Sequence, residues 1–187
     1  TLGGLATTNG GSPGEFLSIE GIERLPNVVN ASNADVVIFM EGANDSSIQL
    51  SQGSYSILLQ KAVNVIRASG RIPVLMTNAL PCCDRESRTP YVQAYNLSVK
   101  DLAFINSTAL VDNERAWDNT CQNRTECELF NVPDGIHPNT LGYDVMSQTV
   151  LATLFGVDLF ASDGPTNLES VLGLEPGTVV VKADPEL

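Results

Sequence analysis

Residues 36 to 46 read Val36-Val37-Ile38-Phe39-Met40-Glu41-Gly42-Ala43-Asn44-Asp45-Ser46. The first five form an unbroken apolar run with acidic or turn-forming residues on both sides, the pattern of a short strand covered on both faces. Ile72 to Thr77 and Thr108 to Val111 repeat it, and Leu5 to Thr8 is a weaker candidate. Helical periods fill the gaps. Leu58, Ala62, Val65 and Ile66 share one face that closes at Gly70, and Val92, Tyr95, Val99 and Leu102 share another. After Pro138, the residues Leu141, Val145, Met146, Val150 and Leu154 make a third. Strand and helix in alternation predict an α/β fold, a three-layer sandwich in which right-handed crossovers place helices on both faces of a parallel sheet. Reactive groups in such a sheet gather on the loops that follow the carboxyl ends of the strands.

The chain of 187 residues divides by composition into a domain over residues 1–160 and an extension over 161–187. Ser162-Asp163-Gly164-Pro165 is turn chemistry, and Gly177 to Lys182 is strand-like, so Thr178 to Lys182 is expected to pair with a sheet edge. Ten basic against twenty-two acidic residues leave a net charge of −12. That balance repels phosphate backbones and anionic headgroups, which argues against nucleic acid and membrane surfaces as partners. With 43% hydrophobic and 17% charged residues, the chain has the composition of a folded domain. No run approaches the ~18 apolar residues of a membrane span, and no leader pattern is visible at Thr1.

Cys82, Cys83, Cys121 and Cys127 lack paired C-x-x-C spacing and share the chain with a single histidine. Disulfides are therefore expected rather than a zinc site, and no metal is assigned. Local pairing of Cys121 with Cys127 closes a small loop at little entropic cost, with cross-pairing between the two cysteine segments as the alternative. Five Asn-x-Ser/Thr triplets begin at Asn30, Asn44, Asn96, Asn106 and Asn123, and with the cysteines they lead us to expect a secreted glycoprotein.

Three segments carry chemistry. In the loop after the Val36 run, Gly42 allows a sharp turn and the Asn44 amide can donate to a developing oxyanion; taken alone, an Asn-Asp turn is the plainer reading. In Asp134-Gly135-Ile136-His137-Pro138-Asn139, a carboxylate three residues before the only histidine can orient the imidazole and stabilise its protonated form. Asn9-Gly10-Gly11-Ser12-Pro13-Gly14 contains a literal G-x-S-x-G, with Ser12 as nucleophile. The residue after that serine must lend its backbone N–H to the oxyanion, and here it is Pro13, which has none. A glycine turn in which Gly11 offers its N–H to the same anion as Asn44 fits better.

These segments, in this order, resemble the SGNH hydrolase superfamily, also called GDSL lipases and esterases, over about residues 5 to 155. Asn9 to Gly14 looks like the family's second block, and Gly42 to Asp45 matches its third, Gly-x-Asn-Asp. Asp134 to His137, followed by Pro138-Asn139 and Gly142-Tyr143, matches the last. The first block, a Gly-Asp-Ser after the first strand, belongs upstream of Asn9, and Thr1 to Thr8 contains no serine. The resemblance thus implies an SGNH/flavodoxin-like sandwich whose first strand and nucleophile are not in this chain. It makes His137 the base, Asp134 its orienter, and Gly11 and Asn44 the oxyanion donors. It implies a secreted serine esterase that takes small acyl esters, such as acetylated carbohydrate or short-chain lipid, without metal or organic cofactor. A homo-oligomer, or an N-terminal segment that completes the sheet, is the partner it leaves open. The contrasting expectation is a non-catalytic extracellular binding or structural protein that keeps the fold and assembles through a sheet edge.

Overall fold

The computed structural model describes residues 7–121 and 127–156. Three strands, β1 (Val36–Phe39), β2 (Ile72–Met76) and β3 (Ala109–Val111), lie parallel in the order β1-β2-β3. Val36 pairs with Ile72 and Phe39 with Leu75, while Val74 pairs with Ala109 and Met76 with Val111. Parallel neighbours need crossovers. Helix α2 (Gln52–Ala68) joins β1 to β2, and α3 (Thr89–Ile105) joins β2 to β3. Helix α1 (Ile22–Ala31) precedes the sheet, and α4 (Asn113–Thr120) and α5 (Thr140–Phe155) follow it.

Local chemistry sets the helix ends. The Ser51 hydroxyl accepts the Ser54 N–H at 3.2 Å and caps α2. The Asn139 side chain accepts the Gly142 N–H at 3.1 Å and caps α5. Strand alternation then separates two cores. Phe39 and Leu75 face Leu25 and Val29 of α1, Leu59 and Ile66 of α2, and Tyr95 and Val99 of α3. Val74, Met76 and Val111 face Met146 and Val150 of α5 on the other side. Truncating Leu59, 1% exposed, to alanine should cost about 2–5 kcal/mol.

Several expectations are corrected. β1 is not covered on both faces: Val36, Ile38 and Met40 are 38%, 39% and 37% exposed. Among the described residues the strand has a neighbour on one side only, so its second face lacks the cover that a central strand receives. The buried face of α2 is Tyr55, Leu59, Ala62, Val63 and Ile66, with Leu58 and Val65 only partly buried. On α5, Leu141 and Leu154 point outward. Helices α1 and α4 were not anticipated. Leu5 and Ala6 lie outside the described residues, as do Asn123, residues 157–160 and the whole 161–187 extension with Thr178 to Lys182, while Thr7 and Thr8 carry no regular structure. Among the described residues no helix is long and apolar enough to cross a membrane.

Candidate active site

The loop after β1 is built around Gly42. Its φ of +107° lies in the region glycine favours, and a Cβ there would sit 2.7 Å from the Tyr55 ring. Tyr55 stacks on Tyr95 with centroids 4.3 Å apart and donates its hydroxyl to the Glu41 carbonyl at 3.0 Å. The Asn78 side chain, at the end of β2, donates to that same carbonyl at 2.8 Å. Asn78 is itself held through its backbone N–H and C=O by the amide of the fully buried Asn96, at 2.9 and 2.8 Å. The carboxyl ends of β1 and β2 are thereby joined through buried polar groups.

Asn44 and Asp45 reach from this loop to the glycine turn. Asn44 Nδ2 donates to the Glu15 carbonyl at 3.0 Å, which leaves its second N–H for another acceptor. Asp45, 0% exposed, accepts the backbone N–H groups of Leu17 at 2.9 Å and Ser18 at 3.0 Å. The Asp45 tie is a contribution that turn chemistry alone did not suggest. In the turn itself, the Gly11 N–H donates to the Asn9 side chain at 2.9 Å. Gly14 has φ +71°, and its N–H has no partner among the described residues. Ser12 is exposed, and its carbonyl accepts the Glu15 N–H at 3.2 Å. No strand leads into it over residues 7–11, so the strand-turn-helix setting of a nucleophile elbow is missing there.

Asp134 and His137 meet on the loop before α5. Asp134 Oδ2 accepts the His137 backbone N–H at 2.9 Å and lies 2.6 Å from its Nδ1. Burial pushes the Asp134 carboxyl up, but the His137 backbone N–H, ring and charge together outweigh it and hold the group below its ordinary range. An ionised carboxylate only accepts, so the hydrogen bond assigns the proton to Nδ1 and leaves the Nε2 lone pair to receive another. The imidazole is 60% exposed and Asp134 30%. The loop closes on itself through Asn131 N–H to the His137 carbonyl at 2.9 Å and Gly135 N–H to the Asn131 carbonyl at 2.8 Å. It is fastened to the loop after β2 by Cys82 N–H donating to the Gly135 carbonyl at 2.9 Å. The three segments thus occupy the same carboxyl edge of the sheet, linked in the order glycine turn, β1 loop, β2 loop, histidine loop.

Cys82 is bonded to Cys83, and Cys121 to Cys127. Cys82, Cys121 and Cys127 pack with Trp117, Phe130 and Val145 into one apolar cluster behind the histidine loop, with Cys83 at its margin. Among the described residues no three His, Cys, Asp or Glu side chains converge as metal ligands would. Of the Asn-x-Ser/Thr triplets, Asn96 is fully buried with its amide engaged, which removes it as a sugar acceptor in the folded protein.

A search of curated proteins finds no match. Solved structures share the fold. LAE5, an alpha/beta hydrolase enzyme from the metagenome of Lake Arreo, Spain, superposes with a TM-score of 0.65 at 24% identity, over 75% of this chain and 68% of its own. Axe2, an acetylxylan esterase from Geobacillus stearothermophilus, gives 0.64 at 20% identity, over 75% and 68%. A GDSL-like lipase from Bacteroides thetaiotaomicron gives 0.62 at 17% identity, over 73% and 69%. The family model of the GDSL-like lipases and acylhydrolases matches residues 2–145, and with the glycine turn, the Gly-x-Asn-Asp loop and the Asp-x-x-His loop on one sheet edge, the chain belongs to the GDSL-like lipase/acylhydrolase family.

Proposed function

We propose that this protein is an extracellular serine esterase that hydrolyses small acyl esters, of the kind found on acetylated carbohydrates or short-chain lipids. The observation that carries this reading is the Asp134–His137 pair, in which one carboxylate oxygen fixes both the backbone and the ring of an exposed imidazole. The nucleophile this reading calls for is the serine of the family's first block, which is not among residues 1–187. Its Oγ attacks the ester carbonyl as His137 Nε2 takes the hydroxyl proton, and the C–O bond to the alcohol breaks as that proton is handed to the leaving oxygen. Water repeats the sequence on the acyl-enzyme. The free N–H of Asn44 and a backbone N–H of the glycine turn hold the tetrahedral oxyanion. Gly14 is the candidate for that donor, because the Gly11 N–H is already taken by the Asn9 side chain. The fold likeness to an acetylxylan esterase supports the choice of acyl ester, and the two disulfides support the extracellular assignment.

The test is hydrolysis of p-nitrophenyl acetate by the full-length protein, with a fluorophosphonate label to locate the nucleophile. His137→Ala should abolish turnover, Asn44→Ala should lower kcat on the order of 10² to 10³-fold, and Ser12→Ala should retain activity. A label on Ser12 would overturn this assignment. The edge of β1 that has no neighbour among the described residues, with Val36, Ile38 and Met40 exposed, favours a second reading, a non-catalytic protein that assembles through that edge. Absence of any labelled serine, together with self-association of the full-length protein, would establish it.

A further inference from the structure

We propose that Arg24 is a positioning residue for this ester chemistry, its guanidinium holding the glycine turn in the geometry that presents the backbone oxyanion donor. The proposal rests on the esterase reading above. Arg24 stands in the first turn of α1, whose Ile22, Leu25 and Val29 are anchored in the main core. Its head therefore projects from a fixed base. Nε lies 3.1 and 3.0 Å from the two Glu15 carboxylate oxygens, Nη2 also donates to Glu15 Oε2, and Nη2 donates to the Gly10 carbonyl at 2.9 Å. The planar fork thus clamps both ends of the segment Gly10 to Glu15 at once, which a point charge on a flexible stem does not do.

Few other ties restrain that turn. Gly11 N–H to Asn9 and Glu15 N–H to Ser12 are internal to it. Among the described residues, the hydrogen bonds that reach Gly10 to Glu15 from outside come from Arg24 and from Asn44, which is itself an oxyanion donor. Glu15 is 4% exposed, so without Arg24 a buried carboxylate loses its ion-pair partner and the turn must open to hydrate it. Arg24 also sets the local field. Glu15, Glu20 and Asp45 bring negative charge to the corner that Glu41 occupies, and Arg24 is the cation that opposes them there. Negative charge left uncompensated beside an oxyanion hole would disfavour the charge that develops there.

The experiment compares the full-length wild type with Arg24→Ala, Arg24→Lys and His137→Ala on p-nitrophenyl acetate, and follows amide hydrogen exchange over residues 9–15. Arg24→Ala should lose roughly 10²-fold in kcat with KM within about threefold, as expected when a donor made for the transition state is displaced by about an ångström. Arg24→Lys keeps the charge against Glu15 and should recover only part of that loss. Millimolar methylguanidinium should raise the kcat of Arg24→Ala and leave wild type unchanged. Exchange at Gly10 to Gly14 should quicken in Arg24→Ala while the α2 and α3 amides hold. Should Arg24→Ala not fold, Arg24→Lys carries both readouts. A kcat near wild type in the folded variants, a loss confined to KM, or unaltered exchange in the turn would overturn the role of Arg24. A wild type inactive on the ester and unaffected by His137→Ala would instead refute the esterase reading, and exchange in the turn would still decide whether Arg24 holds it.

Discussion

Replacing Glu41 with glutamine should stabilise the protein, and increasingly so as the pH rises. Burial first, then the charges of Glu15 and Asp45, push the Glu41 carboxyl up to about 8 from 4.5, against the pull of Arg24. The sign follows from proton linkage. Below pH 4.5 the carboxyl is protonated folded and unfolded, and nothing is lost. Between 4.5 and about 8 the unfolded chain releases this proton while the folded protein retains it, so stability falls with rising pH and levels off above the folded value. At about 1.4 kcal/mol per unit, the loss is roughly 3 kcal/mol by pH 7 and reaches a ceiling of roughly 5 kcal/mol. A glutamine of the same shape does not titrate and escapes it. With 2–4 °C per kcal/mol for a domain of this size, the Tm advantage of Glu41→Gln should widen by roughly 5 to 10 °C between pH 5 and pH 7.5. Thermal melts followed by circular dichroism in matched buffers read the difference. A gap that stays flat across that range, or narrows, would show that Glu41 is not held among Glu15 and Asp45 as described.

Three further outcomes can be measured. Gly42→Ala forces a Cβ into the Tyr55 ring and a side chain onto φ +107°, and should cost about 2–4 kcal/mol in urea unfolding. Asp134→Asn keeps the size of the side chain but no longer favours the Nδ1–H tautomer, so kcat should fall by roughly 10³ to 10⁴. Because the folded Asp134 carboxyl sits below its ordinary value, its contribution to stability is present above the unfolded pKa and lost as pH falls through the folded one. The stability gap between wild type and Asp134→Asn should therefore shrink in acid. Asn96→Ala strands the backbone N–H and C=O of Asn78, both buried, and should cost about 2–3 kcal/mol by the same unfolding assay.

The strands were readable because buried parallel strands leave continuous apolar runs, and all three appear within a residue or two of their expected limits. What the pattern did not disclose was exposure. Val36, Ile38 and Met40 look like interior residues in sequence, and only the position of β1 in the sheet decides otherwise. In α2 the face was misplaced because Tyr55 and Leu59, rather than Leu58 and Val65, begin the row that meets the sheet. On α5 apolar residues occur all round, so periodicity gave no direction. The site was legible where a motif is local. Asp134 and His137 are three residues apart, and one turn of loop brings them together. The ties of Asp45 to Leu17 and Ser18 span 28 and 27 residues and leave no periodic trace. Arg24 and Glu15, nine residues apart across a turn and a helix start, leave none either.

The two halves of the site are held in different ways, and the difference suits their tasks. An oxyanion donor is useful only if it is already aimed when charge develops, so reorganisation there is a direct cost to the barrier. That half carries the buried polar ties: Asp45 on Leu17 and Ser18, Arg24 on Glu15 and Gly10, and Asn78 on Glu41, joined to Asn96. Each is expensive to leave unpaired in a low dielectric, so each enforces one geometry. The imidazole has to accept a proton from one oxygen and deliver it to another, which asks for an open ring face and a fixed axis rather than a rigid surround. His137 has that: an exposed ring pinned by a single Asp134 oxygen, on a loop braced by its own backbone bonds and by Cys82. Substitution of Ile136 itself, which leaves Asp134, Gly135 and His137 in place, should therefore alter turnover modestly, whereas changes at the polar ties beneath the glycine turn should act on kcat as strongly as the loss of a donor.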